Sequence, residues 1–426
     1  MNLWSLVGVI AVCIVGIRFI LQLGKNIPML ELMLLLAGLQ WIIGPLIEYG
    51  SPSLHYKYYM YVPQQTYMAF IAPAYAIFVS VVLFGIRNYK TLLVPITDLK
   101  TFKKYGIAVF LVGVFFDLIA SRLPGTLGFF AFIVANFKFA GALILFFSED
   151  PRLKKIFYGS LVYLFVSALQ HALFHDLILW TVFFYMFWAI KYKPSVRTIA
   201  LTLLVGALSL TTLQTIKAAY RLQVWNGYDG NKLELFAGLV VDAVLLHGAN
   251  ARELDGELNN VRLNQGWIIS AIMDEIPDRV AFLHGETIRE AVSASILPRF
   301  LNPNKKKAGG QENFRKFTGL NIGDNTSMGI SIIGEAYGNY GPSKGLVFMG
   351  FWGFFLVIFW RYLLKKTPKN SMLLAFIPII FLQAVKAETE LVVVLNHLVK
   401  SSIVVFLFFW GTKRFLNWKF TDDKNN

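Results

Sequence analysis

The chain has 426 residues, of which 56% are hydrophobic, 15% aromatic and only 15% charged, and its mean hydropathy is +0.57. A soluble domain carries roughly 25% charged residues, so a soluble enzyme, a disulfide scaffold and a secreted module are excluded. The net charge of +15 does not point to nucleic acid: segment 218–342 holds 12 Lys/Arg against 14 Asp/Glu, so the excess belongs to the apolar remainder and reads as membrane orientation.

The predicted fold is all-α, a polytopic membrane helix bundle. Eleven spans are expected, near 2–23, 28–48, 65–86, 106–120, 127–148, 157–173, 175–191, 198–217, 343–361, 372–387 and 397–415. The first lacks a basic leader and is long enough to span, so it is not a cleaved signal peptide. Cys13 sits alone in it and reads as a small apolar filler. The stretch 157–191 is too long for one crossing of ~30 Å at 1.5 Å per residue, and it is split at His171–Asp176. Lys138 falls mid-span in ANFKFAG, where pairing with Asp117 of the neighbouring hairpin arm is expected.

Lys and Arg in the short connections set the orientation. One side carries 20 of them and the other only Lys57 and Arg122. That asymmetry predicts the N-terminus outside and the C-terminus in the cytoplasm. The chain then divides into eight spans over 1–217, an extracytoplasmic loop over 218–342, and three spans with a short tail over 343–426. A connection of that length inside a helical bundle is usually functional. Helical patterning is expected over 232–248, 262–273 and 286–294, with a flexible stretch at KKKAGG (305–310).

The loop is rich in arginine: Arg221, Arg252, Arg262, Arg279, Arg289, Arg299 and Arg315. Guanidinium suits planar, bidentate capture of phosphate oxygens, and the alternative for any one of them is a solvated or paired surface charge. Arg262 and Arg299 stand out because their neighbours are apolar (RLNQGWIISAI, ASILPRFL). Glu335 sits amid glycines and aromatics at the mouth of the ninth span, placed as a general base or a sugar-hydroxyl acceptor. Tyr337 and Tyr340 beside it can stack on sugar faces. The competing account is an interfacial aromatic belt in which Glu335 pairs with a loop arginine. His284, in FLHGET, is the second candidate base. His171, His175 and Asp176 are too few for a metal site, and Glu388 and Glu390 diverge on a helix, so no metal is expected.

In order, these stretches are Arg262-Leu263-Asn264, FLHGETIREAVSASILPR (282–299), NPNKKK (302–307), Thr326-Ser327 and GEAYGNYG-x3-G (334–345), with a span directly after. The set resembles the oligosaccharide repeat-unit polymerases of bacterial surface polysaccharides, the Wzy-type enzymes. Their late outer loop runs from an arginine through G-x-T and I-P-R steps to a G-E-x-Y-x-N-F-G-like helix start. Here Tyr340 stands in place of the phenylalanine, the glycine spacing is one residue longer, and the family's K-P ending is absent.

The resemblance implies a multi-pass protein of the bacterial inner membrane with GT-C-like architecture. It also implies a metal-independent, cofactor-free glycosyltransferase that joins repeat units carried on undecaprenyl diphosphate, building O-antigen, capsule or exopolysaccharide. A flippase and a chain-length regulator would be its partners. The roles carried over place Arg262 and Arg299 on the diphosphate, with Arg279 and Arg289 assisting. Glu335 or His284 is the base, and Tyr337, Asn339 and Tyr340 line the sugar path. Three other readings remain open: an O-antigen ligase acting on a lipid A core, a transporter or flippase of lipid-linked sugar, and a non-catalytic envelope scaffold.

Overall fold

The computed structural model describes residues 2–52, 58–87, 96–246, 263–296, 310–323 and 326–420, and among these residues there is no strand. In chain order the helices begin with α1 (Leu3–Gln22), α2 (Met29–Gly50), α3 (Gln64–Gly85), α4 (Lys103–Ala120), α5 (Gly125–Ala135) and α6 (Phe137–Phe146). Next come α7 (Pro151–His171), α8 (His175–Tyr192), α9 (Val196–Trp225) and α10 (Lys232–Val241). The later part holds α11 (Gly266–Glu275), α12 (Glu286–Ile296), α13 (Gln311–Thr318), α14 (Ile332–Lys366), α15 (Leu373–Phe381) and α16 (Leu391–Phe415).

Among the described residues, seven helical segments are long and apolar enough to cross a membrane: α1, α2, α3, the α5–α6 pair, α9, α14 and α16. The chain is a multi-pass helical membrane protein. Of the eleven expected spans, those at α4, α7, α8 and 372–387 fall short of that length or apolarity. The reason is plainest at 372–387. Its helix, α15, has nine residues, about 14 Å at 1.5 Å per residue, and all nine are buried. An apolar run that short is a core helix of the bundle.

Glycine sets the closest helix contacts. A Cβ on Gly113 of α4 would lie 1.9 Å from the Lys138 nitrogen of α6, and one on Gly141 of α6 would lie 2.5 Å from the Phe110 nitrogen. With the helices that near, Lys138 Nζ reaches Asp117 Oδ1 at 2.6 Å, the pairing that the sequence predicts. The Tyr163 hydroxyl of α7 donates to the other oxygen of Asp117.

The break between α7 and α8 falls at His171–His175, within the break that the sequence predicts at His171–Asp176. Ala172 turns left-handed there (φ 54°). The last carbonyls of α7 take side-chain donors in place of a further turn. Tyr220 binds Leu169 O (2.8 Å), Lys232 binds Gln170 O (3.2 Å), Trp225 binds His171 O (3.2 Å) and Arg221 binds Ala172 O (2.9 Å). Arg221 is thus a helix cap.

The loop helices follow the expected patterning: α10 inside 232–248, α11 over most of 262–273 and beyond it, and α12 from 286. α2 carries a π turn at Leu39–Ile43, next to Pro45. It leaves Gln40 O free to accept the Gln265 N–H at 3.2 Å, just before α11. Gly44 makes this possible, since a Cβ there would sit 2.2 Å from Leu263 O. The loop is thereby anchored to the second span.

Candidate functional site

The site forms where α14 starts. α14 is two helical arms joined at Gly341, whose φ of 70° and ψ of −174° interrupt the helix. Such a φ favours glycine, and Pro342 follows to start the second arm. The break orphans the last carbonyls of the first arm. Leu283 N–H donates to Gly338 O (3.1 Å) and His284 N–H to Asn339 O (2.9 Å). The FLHG strip is therefore moulded onto the end of the first arm, with His284 (φ 47°) and Gly285 (φ 83°) turning the chain into α12. Gly338 sits against α13, since a Cβ there would lie 2.4 Å from the Phe317 ring.

Glu335 lies one turn before Asn339 on the first arm and is 1% exposed. Its Oε1 accepts the Thr287 hydroxyl of α12 at 2.7 Å, and its Oε2 accepts the Leu391 N–H, the first of α16, at 2.9 Å. Asn339 Nδ2 donates to Thr287 Oγ1 (2.8 Å) and to Glu335 O (2.9 Å). A charge withdrawn from water persists only with such partners, and the start of a helix is a favourable place for a carboxylate. The Asn339 Oδ1 atom is buried with no partner among the described residues.

A second buried carboxylate precedes α16. Glu390, also 1% exposed, accepts the Gly310 N–H on Oε1 (3.1 Å) and Asn313 Nδ2 on Oε2 (2.6 Å). One helix end thus gathers three pieces of the loop: α12 through Thr287, the first arm of α14 through Glu335, and α13 through Glu390. Trp267 of α11 joins them by an edge contact with Phe314, the ring centroids 6.0 Å apart.

The expected residues divide by position. Glu335 and Asn339 are brought together as described, inside the protein. His284 and Arg289 are exposed on the same side, with Arg289 Nη1 donating to His284 O at 3.2 Å. Tyr340 is half-buried beside Gly285, its ring 5.8 Å from Phe348. Tyr337 is buried in edge contacts with Phe70 (5.1 Å) and Phe282 (6.1 Å), a packing position without an open ring face. Arg279 stands apart, 63% exposed and paired with Asp274 (3.1 Å) and Glu275 (2.8 Å). Arg315 donates to Ile322 O at 2.7 Å. Arg262 and Arg299 lie outside the described residues, as do Arg252 and Lys305–Lys307.

Thr287, Glu390 and Asn313 were not singled out by sequence reasoning as site residues. Thr287 lies inside the motif stretch, and Glu390 reads from the sequence only as half of a diverging acidic pair with Glu388. No family model, no curated protein and no solved structure matches the chain.

Proposed function

We propose that the chain is a polymerase of undecaprenyl-diphosphate-linked oligosaccharide repeat units, a metal-independent glycosyltransferase with a GT-C-like bundle. It works at the outer face of the bacterial cytoplasmic membrane, with the N-terminus and the 218–342 loop outside. One observation carries the reading. The two most distinctive motif stretches, centred on Thr287 and Glu335 and 48 residues apart, meet through a buried carboxylate and present His284 and Arg289 on one exposed side.

The chemistry asks little of the protein. The acceptor hydroxyl oxygen bonds to the anomeric carbon, the anomeric C–O bond breaks, and its electron pair leaves on the lipid diphosphate. A diphosphate is already a good leaving group, so no acid is needed. Guanidinium groups stabilise the charge that grows on it. In this reading Arg289 serves there together with Arg262 and Arg299. His284, the exposed candidate base, takes the hydroxyl proton. Glu335, with both oxygens engaged, positions the strip that carries His284. Asn339 and Tyr340 border the sugar path.

The test is reconstitution of the purified full chain in liposomes with undecaprenyl-diphosphate-linked repeat units. The expected product is a ladder of multiples of one unit. Recovery of single units alone overturns the reading. A product formed only when lipid A core is added replaces it with a ligase.

A further inference from the structure

α1 carries a single charged side chain, Arg18, in an otherwise apolar span. Two groups hold its guanidinium. Nε lies 3.3 Å from Glu31 Oε1 of α2, and Nη2 donates to Ile86 O, just past the end of α3, at 3.4 Å. Nη1 has no protein partner among the described residues. Glu31 is buried, whereas the Arg18 side chain is 27% exposed.

A cleft of about 370 Å³ runs beside it, lined by Ile14, Ile17, Arg18, Leu21, Gln22 and Leu83. Ile14, Ile17 and Leu21 are 51, 60 and 48% exposed, so the cleft opens on the outside of the bundle. Two more guanidiniums gather at the same end of α3. Arg361 Nη2 donates to Gly85 O, and Arg87 lies 3.9 Å over the Phe84 ring. Three guanidiniums therefore lie around the end of α3, and one of them, Arg18, pairs with a carboxylate.

Arg18 is four residues from the end of α1, about 6 Å along the axis. That is close to the level where lipid phosphates meet the hydrocarbon, and a long side chain covers the difference. An N–H left unpaired at that depth is costly, and a phosphate oxygen satisfies it. Apolar walls on the bundle exterior suit an acyl chain.

We propose that this cleft binds one anionic phospholipid from the leaflet at the Lys25 end of α1. Its phosphate sits on the open edge of Arg18 and on Arg87, and one acyl chain lies along Ile14, Ile17, Leu21 and Leu83. The excess of arginine over carboxylate favours a net anionic headgroup over a zwitterionic one. Diffuse attraction to the basic connections would instead depend on charge alone.

The experiment is native mass spectrometry of the full chain released from nanodiscs of equal phosphatidylglycerol and phosphatidylcholine. Preferential retention of one phosphatidylglycerol is expected. Ile17→Trp fills the cleft without changing charge and should lower that retention at least fivefold. Leu21→Trp provides the same test should the first variant fold poorly. Arg87→Gln should lower retention similarly, while Arg414→Gln, at the far end of α16, should leave it unchanged. Equal retention of both lipids overturns the proposal, as does wild-type retention by a folded tryptophan variant.

Discussion

Thr287→Val is the most informative perturbation of the site. The hydroxyl donates to Glu335 Oε1 and accepts from Asn339 Nδ2, so removing it strands one lone pair of a buried carboxylate and one buried amide N–H. Valine keeps the volume, which isolates the polar loss. A hydrogen bond to a charged group contributes about 1.5–3 kcal/mol, and a buried unsatisfied group costs about 1–3 kcal/mol. The local cost should therefore be about 3–5 kcal/mol, felt where α12, the first arm of α14 and the start of α16 meet. At 1.4 kcal/mol per tenfold, even the lower figure raises local opening about a hundredfold. Hydrogen–deuterium exchange of the full chain in nanodiscs reads this at the Leu283, His284 and Leu391 amides, which all donate within the cluster. They should lose protection together, while amides in the middle of α3 should not. Thr287→Ser retains the hydroxyl and should preserve most of it. Unchanged exchange at all three amides in Thr287→Val would refute the reasoning, and so would a serine variant that behaves like valine.

Three other outcomes are expected. Gly338→Ala places a Cβ 2.4 Å from the buried Phe317 ring, so overpacking of about 1–3 kcal/mol should outweigh the helix-propensity gain and lower the melting temperature; Gly159→Ala, whose Cβ meets nothing within 4 Å, should raise it slightly. Lys138→Met strands Asp117 beside Tyr163 and should destabilise by about 2 kcal/mol or more, and adding Asp117→Leu should recover most of that, measured by thermal unfolding in detergent. A tag inserted at Lys306 should be labelled by a membrane-impermeant reagent and one at the C-terminus should not; the reverse pattern would remove the outer-face assignment on which the polymerase reading depends.

Much of the fold was legible in the sequence because long apolar runs leave few options in a bilayer. The split at His171–Asp176 followed from length alone, and the Lys138–Asp117 pair followed from the cost of a lone charge at mid-span. In the 334–345 stretch Gly334 packs against Ile272 and Gly338 against Phe317. What apolarity could not separate was a lipid-facing span from a core helix. α15 is as greasy as any span, yet it is short and wholly buried. Hydropathy measures what a segment avoids, and both lipid and protein interior satisfy it.

The candidate site was legible in its residues but less so in their duties. Glu335 is conspicuous as a carboxylate amid glycines and aromatics at a span mouth, His284 as an imidazole close in sequence to the loop arginines, and Asn339 only through the resemblance of the 334–345 stretch. Tyr337 reads from the sequence as a ring able to stack on a sugar, whereas Phe70 and Phe282 cover it here; an aromatic at a helix start gives no local sign of which neighbours will pack on it. Glu390 shows the opposite failure. Its donors, Gly310 and Asn313, lie 80 and 77 residues away, and no periodicity links them. Yet that distant pairing explains the arrangement best. Glu390 sits just before α16 and Glu335 accepts from its first amide, so the loop pieces are fixed to one end of a transmembrane helix. A ligand reaching His284 and Arg289 would thus meet a rim referenced to the bundle, although the side chains that form it come from a loop.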